Sequence, residues 1–306
     1  MLLHGIFPPI TTPFYPDGSI YYKKVEHNLE RYSKTPIAGL VVEGSTGEAI
    51  LLSDQEKRDV LKAARAATPS HKVLIAATGI ESAIETLRLT EYAAKLAYDA
   101  AMVRTPHYYK MAMHPDNMLA FYRTVADRSP LPIIIYNFPQ ATGYDIPAEV
   151  VIALAEHPNI VAIKESSGNL EKVKTIIAGT RHVKRSVLVT ESFDAFTGRM
   201  MMEATSPVAA GDMVSVGALA ATAHPKPSSS AVHVIGAMKA RKKEVGFQVM
   251  VGSAHQLHDS LELGAVGAIL AFACAAPTAC FEIYRAWKEN AHEIAREKQE
   301  RIVLAA

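Results

Sequence analysis

The chain has 306 residues, of which 49% are hydrophobic, and its net charge is +1 from 32 Lys and Arg against 31 Asp and Glu. Single α/β barrels often reach about 250 residues, so one or two domains are expected. No basic run interleaved with aromatics points to nucleic acid, and no stretch approaches the roughly 20 apolar residues of a membrane span. Its two cysteines predict neither a disulfide framework nor a metal site, so a reduced cytoplasmic protein is expected.

Short β-rich runs alternate with longer amphipathic stretches along the chain. Runs such as "VLIAA" and "PIIIY" are apolar on both faces, which is typical of strands buried in a parallel sheet. The predicted strands are Ile6–Thr12, Gly39–Val42, Lys72–Ala76, Ala100–Arg104, Pro132–Tyr136, Ile160–Lys164, Gln248–Gly252 and Val266–Ala271. The predicted helices are Tyr22–Ser33, Ser53–Ala67, Glu81–Leu96, Pro115–Asp127, Pro147–His157, Leu170–Ala178, Ala254–Leu263 and Thr278–Asn290.

Eight β-then-α units in series predict a closed (β/α)8 TIM barrel over residues 1–290, followed by a C-terminal helical remnant at 291–306. A doubly wound open sheet is the alternative, but no phosphate loop follows the first strand. Ser53 and Glu56 predict a capping box at the start of the second helix. Pro115 and Pro147 fit the first turns of their helices, where the missing N–H is tolerated.

Residues from about 180 to 246 break the rhythm, because the spacing there is about twice that of the other units. We predict an insertion before the seventh strand, with a short helix and a hairpin. It is either a surface excursion, which costs little in a loop, or a lid over the site. "SVLVTES", Ser186–Ser192, is an alternative seventh strand. Gln248–Gly252 is preferred because "GAVGAIL" follows it at the interval of a helix and a strand.

Lys164 closes the apolar run at residues 160–163 and is followed by "ESSGN". A cation is costly to bury, so a lysine at the end of a buried strand calls for an explanation. In a (β/α)8 barrel, active-site residues project from the carboxyl ends of the strands. Burial disfavours the charged form of a lysine, and the neutral amine attacks a ketone to form an imine. The alternative is a structural lysine that reaches solvent or pairs with Glu165.

Hydroxyl groups follow three other strands at the same predicted edge. Tyr136, in "YNFP", ends the fifth strand, so it can reach the substrate of Lys164 and transfer a proton. "GSTGE" after the second strand brings Ser45 and Thr46, whose hydroxyl and N–H groups suit a carboxylate. "TPHYY" after the fourth strand supplies Tyr108. Structural explanations also exist for these residues, as a rim aromatic or a generic glycine-rich turn.

The motifs GSTGE, TP-x-Y-Y, YN-x-P-x-x-TG and IKESSGN occur in order on these strands. Together they resemble the family of pyruvate-handling class I aldolases that contains dihydrodipicolinate synthase and N-acetylneuraminate lyase. The resemblance covers about residues 5–180 and 247–290. It implies the (β/α)8 fold, imine chemistry without a cofactor, and pyruvate as the small-molecule partner.

The resemblance also implies roles for individual residues. Lys164 would form the Schiff base and Tyr136 would handle protons. Ser45 and Thr46 would hold the keto-acid carboxylate, and Thr46 would link Tyr136 to Tyr108 in a proton relay. In much of the family the residue matching Tyr108 reaches into a neighbouring subunit, so a homo-oligomer, dimer or tetramer, is implied.

Three positions bear on which family member the chain resembles. Dihydrodipicolinate synthases carry a carboxylate-binding arginine where this sequence has Ala141. Neuraminate lyases place acidic residues just after the glycine of the seventh strand, where Ser253 and Ala254 follow Gly252 here. The remaining likeness is to 4-hydroxy-2-oxoglutarate aldolase, in stretches such as "DAAMVRTPHYY" and "HPNIVAIKESSG". Hydroxy-keto acid aldolases of sugar-acid breakdown are close rivals.

A second substrate carboxylate, as in an aldol of glyoxylate, needs a cationic or hydrogen-bonding partner. Arg104 and His255 are the candidates, although Arg104 can instead point outward and His255 can be an exposed first-turn residue. Gly252 and Ile269, at the ends of the seventh and eighth strands, complete the predicted substrate site. His255 and His258 are not predicted to bind a metal, because no third ligand is evident.

The sequence leaves three functions open. The first is a Schiff-base aldolase that cleaves or forms a C–C bond in a 2-keto acid, with pyruvate as one partner. The second is a synthase that condenses pyruvate with aspartate semialdehyde, and Ala141 counts against it. The third is a keto-acid-binding regulator or pseudoenzyme, suggested by the insertion and by a chain that stops at Ala306 before the further C-terminal helices of the family.

Overall fold

Eight parallel strands form the sheet at the centre of the protein. The computed structural model describes residues 1–204, 233–235 and 238–306. The predicted barrel strands are all confirmed, with ends that shift by a few residues. They are β1 (Gly5–Phe7), β2 (Gly39–Val42), β3 (Val73–Ala77), β4 (Ala100–Arg104), β5 (Ile133–Asn137), β6 (Ile160–Glu165), β10 (Gln248–Val251) and β11 (Gly267–Ile269).

The sheet closes into a barrel between β1 and β2. The strand order runs from β1 through β11, β10, β6, β5, β4 and β3 to β2. Ala38 N donates to Ile6 O at 3.0 Å and Ile10 N donates to Val41 O at 2.9 Å, and these bonds join the two end strands. The doubly wound open sheet is therefore excluded. Gln248–Val251, rather than Ser186–Ser192, supplies the seventh barrel strand.

Helices follow the barrel strands and cover their outer faces. They are α1 (Tyr22–Ser33), α2 (Asp54–Ala67), α3 (Ala83–Lys95), α4 (Pro115–Arg128), α5 (Pro139–Thr142), α6 (Ala148–Ala155), α7 (Leu170–Gly179), α9 (Leu257–Glu262), α10 (Pro277–Lys288) and α11 (His292–Val303). The capping box of Ser53 and Glu56 is confirmed. Pro115 opens α4, as predicted. Pro147 was predicted to lie in the first turn of its helix. In the structure it is the N-cap of α6, and the helix begins at Ala148.

Alternation along the strands divides the apolar side chains into two groups. Phe7, Val41, Met102 and Met250 belong to the buried cluster that fills the barrel. Their sequence neighbours face outward into the larger cluster beneath the helices. Successive side chains of a strand point to opposite faces, so strands packed on both faces read as continuous apolar runs.

A second, antiparallel sheet lies in the region of the predicted insertion. It consists of β7 (Arg185–Thr190), β9 (Met238–Val245) and β8 (His233–Ile235), and the helix α8 (Gly198–Ala204) follows β7. Val187, Val189 and Val245 pack against Leu2, which precedes β1. The described part of this region therefore contacts the amino end of the barrel, opposite to Lys164, and does not cover the carboxyl ends of the strands. Part of the predicted insertion lies outside the described residues.

A buried ion pair ties α8 to the barrel. Arg199 Nη2 lies 3.2 Å from Asp99 Oδ2, and both side chains are only 1% exposed. Asp99 precedes β4 and also accepts from Leu74 N at 2.9 Å. Arg199 donates to the carbonyl of Thr68 at 3.2 Å. Breaking such a pair would leave an uncompensated charge in the interior, so this contact fixes the position of α8 on the barrel.

Within the described residues, no helix is both long enough and apolar enough to cross a lipid bilayer.

Gly267 lets β11 approach β1 closely. A Cβ atom at Gly267 would lie 2.2 Å from the carbonyl oxygen of Gly5, which is backbone and cannot turn aside. We expect Gly267→Ala to lower the free energy of unfolding by about 2 kcal/mol, as overpacking does. Urea denaturation followed by circular dichroism measures this change. Gly198→Ala is the control, since its Cβ would meet none of the described residues within 4 Å. Equal effects of the two variants would contradict the prediction.

Candidate active site

Lys164 and Tyr136 lie side by side at the carboxyl ends of β6 and β5. The two residues are in register across the parallel pair. Lys164 is 5% exposed and Tyr136 is 4% exposed. The Lys164 Nζ atom lies 4.0 Å from the centroid of the Tyr136 ring. The predicted pair is thus brought together in a buried position, where a small carbonyl compound could contact both side chains.

Glu165, the next residue, faces away from Lys164 and has its own partners. Its carboxylate lies 3.2 Å from the Nζ atom of Lys172 and accepts from Asn137 Nδ2 at 2.9 Å. Asn137 in turn donates to Asp145 at 2.7 Å. The alternative interpretation, in which Lys164 pairs with Glu165, does not hold in the described structure. This outer network fixes the ends of β5 and β6 and so directs Lys164 inward.

The turn after β2 places the hydroxyl group of Ser45 within hydrogen-bonding distance of Tyr136. Ser45 Oγ lies 3.2 Å from the Tyr136 hydroxyl, and either oxygen can donate. Ser45, Thr46 and Gly47 form a single 3-10 turn. The resemblance implied that Thr46 contacts Tyr136, but among the described residues this hydrogen bond belongs to Ser45. The difference arises because the turn directs the first of its two hydroxyls toward β5.

Tyr108 lies on the loop after β4, and its side chain is 73% exposed. Its ring packs edge-on against Tyr109, with the centroids 5.0 Å apart. Among the described residues, no hydrogen bond joins Tyr108 to Ser45 or to Tyr136. Within the described residues of one chain, the hydroxyl of Tyr136 bonds to Ser45, and the predicted link through Thr46 to Tyr108 stays a prediction.

Glu81 holds the same loop in place. Its carboxylate accepts from the backbone N–H of His107 at 3.0 Å and of Tyr108 at 3.2 Å. Arg104 Nη1 lies 3.3 Å from it and His107 Nδ1 lies 2.5 Å from it. Burial acts to raise the pKa of Glu81, but the two backbone hydrogen bonds, His107 and Arg104 together hold it below the ordinary value of 4.5. The charge of Arg104 is consequently balanced by a fixed carboxylate.

A cavity of about 460 Å³ opens beside this group of residues. Ser45, Tyr136, Arg104 and Tyr108 line it, as does Ala141 of α5. Arg104, a candidate from the sequence, therefore faces the cavity and does not point outward. The cavity has room for a small keto acid; Tyr136 lines it, whereas Lys164, which contacts Tyr136, does not.

Three further candidates lie at the ends of β10 and β11. Gly252 follows β10 directly, and a Cβ atom there would lie 1.8 Å from the Ser166 Oγ atom, so a larger residue would displace the loop after Lys164. Ile269 is buried in the cluster that fills the barrel. His255 is exposed, in agreement with its structural interpretation. Within the described residues, no group of three or more His, Cys, Asp or Glu side chains is placed to hold a metal ion.

Two carboxyl residues of the cavity, Glu43 and Glu81, were missed by sequence reasoning. Glu43 directly follows the apolar strand "GLVV", and a charged residue at that position was a usable signal. Glu81 lies on the loop between β3 and α3, and its partners come from the end of β4 and the loop after it. Only the folded structure shows that these two loops meet.

Fold and site together define a (β/α)8 barrel with a buried lysine–tyrosine pair at the carboxyl ends of adjacent strands. A family model described as the dihydrodipicolinate synthetase family matches residues 2–221. The chain belongs to this family. The resemblance noted in the motifs is thereby confirmed.

The relatives that this chain matches are named for two different activities. The 4-hydroxy-tetrahydrodipicolinate synthase of Methanothrix thermoacetophila is 38% identical over 187 residues, which are 61% of this chain and 62% of that protein. A protein of Emericella nidulans named "Probable 4-hydroxy-2-oxoglutarate aldolase, mitochondrial" is 36% identical over 182 residues, 58% of this chain and 59% of that one. The matches span about three fifths of these relatives' length.

Solved structures of the family share the fold. A prophage protein of the dihydrodipicolinic acid synthase family from Escherichia coli K12, solved in complex with pyruvate, superposes with a TM-score of 0.73. The superposition covers 98% of this chain and 80% of that one, at 23% identity. At this identity the likeness supports the fold alone.

Replacing Glu81 tests its part in the stability of the loop. Because the folded-state pKa lies below the ordinary value, ionised Glu81 stabilises the fold above that value, and the contribution disappears as the pH falls through the folded-state pKa. We expect Glu81→Gln to be less stable than the wild type at neutral pH, with a difference that shrinks below about pH 4.5. Urea denaturation across this range measures it. Glu85→Gln is the control, and a pH-independent difference for Glu81→Gln would refute the assignment.

Proposed function

We propose that the protein is a Schiff-base-forming aldolase that cleaves or forms a C–C bond in a 2-keto acid, with pyruvate as one partner. The observation that carries this proposal is the buried Lys164 Nζ atom, 4.0 Å from the ring of Tyr136. A nucleophilic amine needs a dry position and a neighbouring acid or base to move protons. The pair meets both requirements, at the end of the barrel where active sites lie.

The reaction starts with attack of the Lys164 amine on the C2 carbonyl, and loss of water gives a protonated imine. Tyr136 gives its proton to the departing hydroxyl as water leaves, and its phenolate, which accepts a hydrogen bond from Ser45 at 3.2 Å, then takes the proton of the C4 hydroxyl. The O–H electrons form the aldehyde carbonyl, the C3–C4 bond breaks, and its electron pair moves through C3 to the imine nitrogen as an enamine. Protonation at C3 and hydrolysis release pyruvate and restore the amine.

The turn after β2 suits the carboxylate of the keto acid. Ser45 and Thr46 open a 3-10 turn, so their N–H groups have no partner within the turn and remain available, together with two hydroxyls. Such a cradle binds an anion without a formal charge.

The proposed substrate is a hydroxy-2-keto acid of the 4-hydroxy-2-oxoglutarate type or a related one. The name of the Emericella nidulans relative supports this choice, as does Arg104, which lines the cavity and is a hydrogen-bonding group for an oxygen-rich substrate. His255 is a weaker candidate, because its side chain is exposed.

Condensation of pyruvate with aspartate semialdehyde is the second candidate, favoured by the name of the Methanothrix thermoacetophila relative. The position that the synthases fill with a carboxylate-binding arginine is Ala141, which lines the cavity and offers only a methyl group. The aldolase is therefore our first choice. Assay of the purified protein with both pairs of substrates separates the two.

A homo-oligomer forms part of the proposal. Tyr108 and Tyr109 expose 73% and 74% of their surfaces, and Met111 exposes 90%. Three large side chains exposed on one loop beside the cavity are typical of a protein–protein contact. A second subunit that packs there would bring the Tyr108 hydroxyl of one chain near the site of the other.

Trapping the imine tests the proposal directly. We expect incubation with pyruvate and sodium borohydride to add the mass of pyruvic acid less one oxygen atom, because reduction fixes the imine as a secondary amine. Peptide mass spectrometry should place the adduct on Lys164, and Lys164→Arg should give none. The exposed Lys174→Ala is the control and should react as the wild type does. If the folded wild type gives no adduct, the protein does not form the imine and the proposed function is refuted.

Tyr136→Phe separates imine formation from C–C cleavage. Without the phenolic oxygen the proton of the C4 hydroxyl has no acceptor, so we expect kcat for release of pyruvate to fall by about 10²- to 10⁴-fold. Borohydride should still trap pyruvate on Lys164. Tyr92→Phe, on the outer helix α3, is the control. Unchanged kcat in Tyr136→Phe would show that another group moves the proton.

A further inference from the structure

Glu43 has a buried carboxyl group without a hydrogen-bond partner. The residue follows β2 and is 3% exposed. Neither carboxyl oxygen has a partner among the described residues. Burial raises the pKa of Glu43 well above its ordinary value, and the charge of Lys57 only partly opposes this effect. Buried polar groups in native proteins are almost always hydrogen-bonded, and an exception calls for an explanation.

The backbone of Glu43 is also unusual. Its φ angle is +63°, in the left-handed region that side chains other than glycine rarely adopt. Such a conformation costs of order 1–3 kcal/mol and is found most often at functional sites. Glu43 thus combines a buried carboxyl group that lacks a partner among the described residues with a left-handed backbone, and both are energetically unfavourable.

Glu43 lines the same cavity as Tyr136, Ser45 and Arg104. Its oxygens are shielded from solvent, so the carboxyl would contact a ligand by turning about its side-chain torsions into the space that it lines. Arg104 and Glu81 already balance each other at 3.3 Å. Lys57, another lining residue, lies 3.5 Å from the exposed Asp54.

We infer that Glu43 is a specificity-determining residue whose carboxyl group binds an uncharged hydroxyl oxygen on the aldehyde-derived half of the substrate. A neutral carboxyl can both donate and accept a hydrogen bond, which matches a hydroxyl group. A second carboxylate would lie near the ionised Glu81, while the guanidinium of Arg104 is already paired. This inference rests on the proposed aldolase function. Among the substrates proposed above, it favours related hydroxy-keto acids with an uncharged, hydroxylated aldehyde component over 4-hydroxy-2-oxoglutarate itself, whose aldehyde component carries a carboxylate.

Two aldehydes of equal size test the inference. Glycolaldehyde and propanal differ only in a hydroxyl against a methyl group at the far end. We expect the wild type to condense pyruvate with glycolaldehyde in preference to propanal, measured as the ratio of the two kcat/KM values. Glu43→Met keeps the length of the side chain and removes its hydrogen bonds, so the ratio should fall by about tenfold or more. Glu43→Gln, which still donates and accepts, should keep the ratio within about threefold.

Stability and imine trapping separate the outcomes. Because Glu43→Met removes an unsatisfied buried polar group, its midpoint of urea unfolding should equal or exceed that of the wild type. A lower midpoint with an unchanged ratio would assign Glu43 a structural role and overturn the inference. Glu43→Gln behaving like Glu43→Met would also overturn it, since an ionised carboxylate would then be required. Each variant should still form the pyruvate adduct on Lys164; loss of that adduct in the wild type would instead overturn the proposed function.

Discussion

The contact between Lys164 and Tyr136 governs the arrangement of the rest of the site. Their strands are adjacent and in register, so the amine and the phenol are held on two rigid elements and not on loops. Asn137 and Glu165, the next residue on each strand, bond to each other at 2.9 Å on the outer side. Because side chains alternate along a strand, Lys164 and Tyr136 face the proposed site, while their neighbours Glu165 and Asn137 face the scaffold.

Much of the barrel could be predicted from the sequence, because parallel strands covered on both faces leave continuous apolar runs. The position of Lys164 followed from the same pattern. The hydrogen bond of Ser45 to Tyr136 could not be predicted, since a single 3-10 turn decides which of two adjacent hydroxyls reaches β5. Glu81 was missed because its partners belong to the next loop along the barrel. The same limit applies to Glu43, whose orientation depends on a backbone angle of +63°.

The charges of the cavity are distributed in a way that composition cannot reveal. Arg104 is ion-paired with Glu81, and that carboxylate is further occupied by the backbone of the loop carrying Tyr108. The guanidinium thus serves the shape of the loop as much as the recognition of a substrate. Discrimination between substrates then falls to groups whose hydrogen bonds are still available, since leaving a buried polar group unpaired is what penalises the wrong ligand.

The antiparallel sheet of β7, β8 and β9 meets the barrel through Leu2, and the helix α8 that follows β7 meets it through the Asp99–Arg199 pair, both at the end remote from Lys164. In (β/α)8 proteins, stability depends mainly on that end and chemistry on the other. A region anchored there can change in length and sequence over evolutionary time without moving the reacting atoms. For protein engineering, the same separation makes this face a suitable attachment point for a label or a solid support.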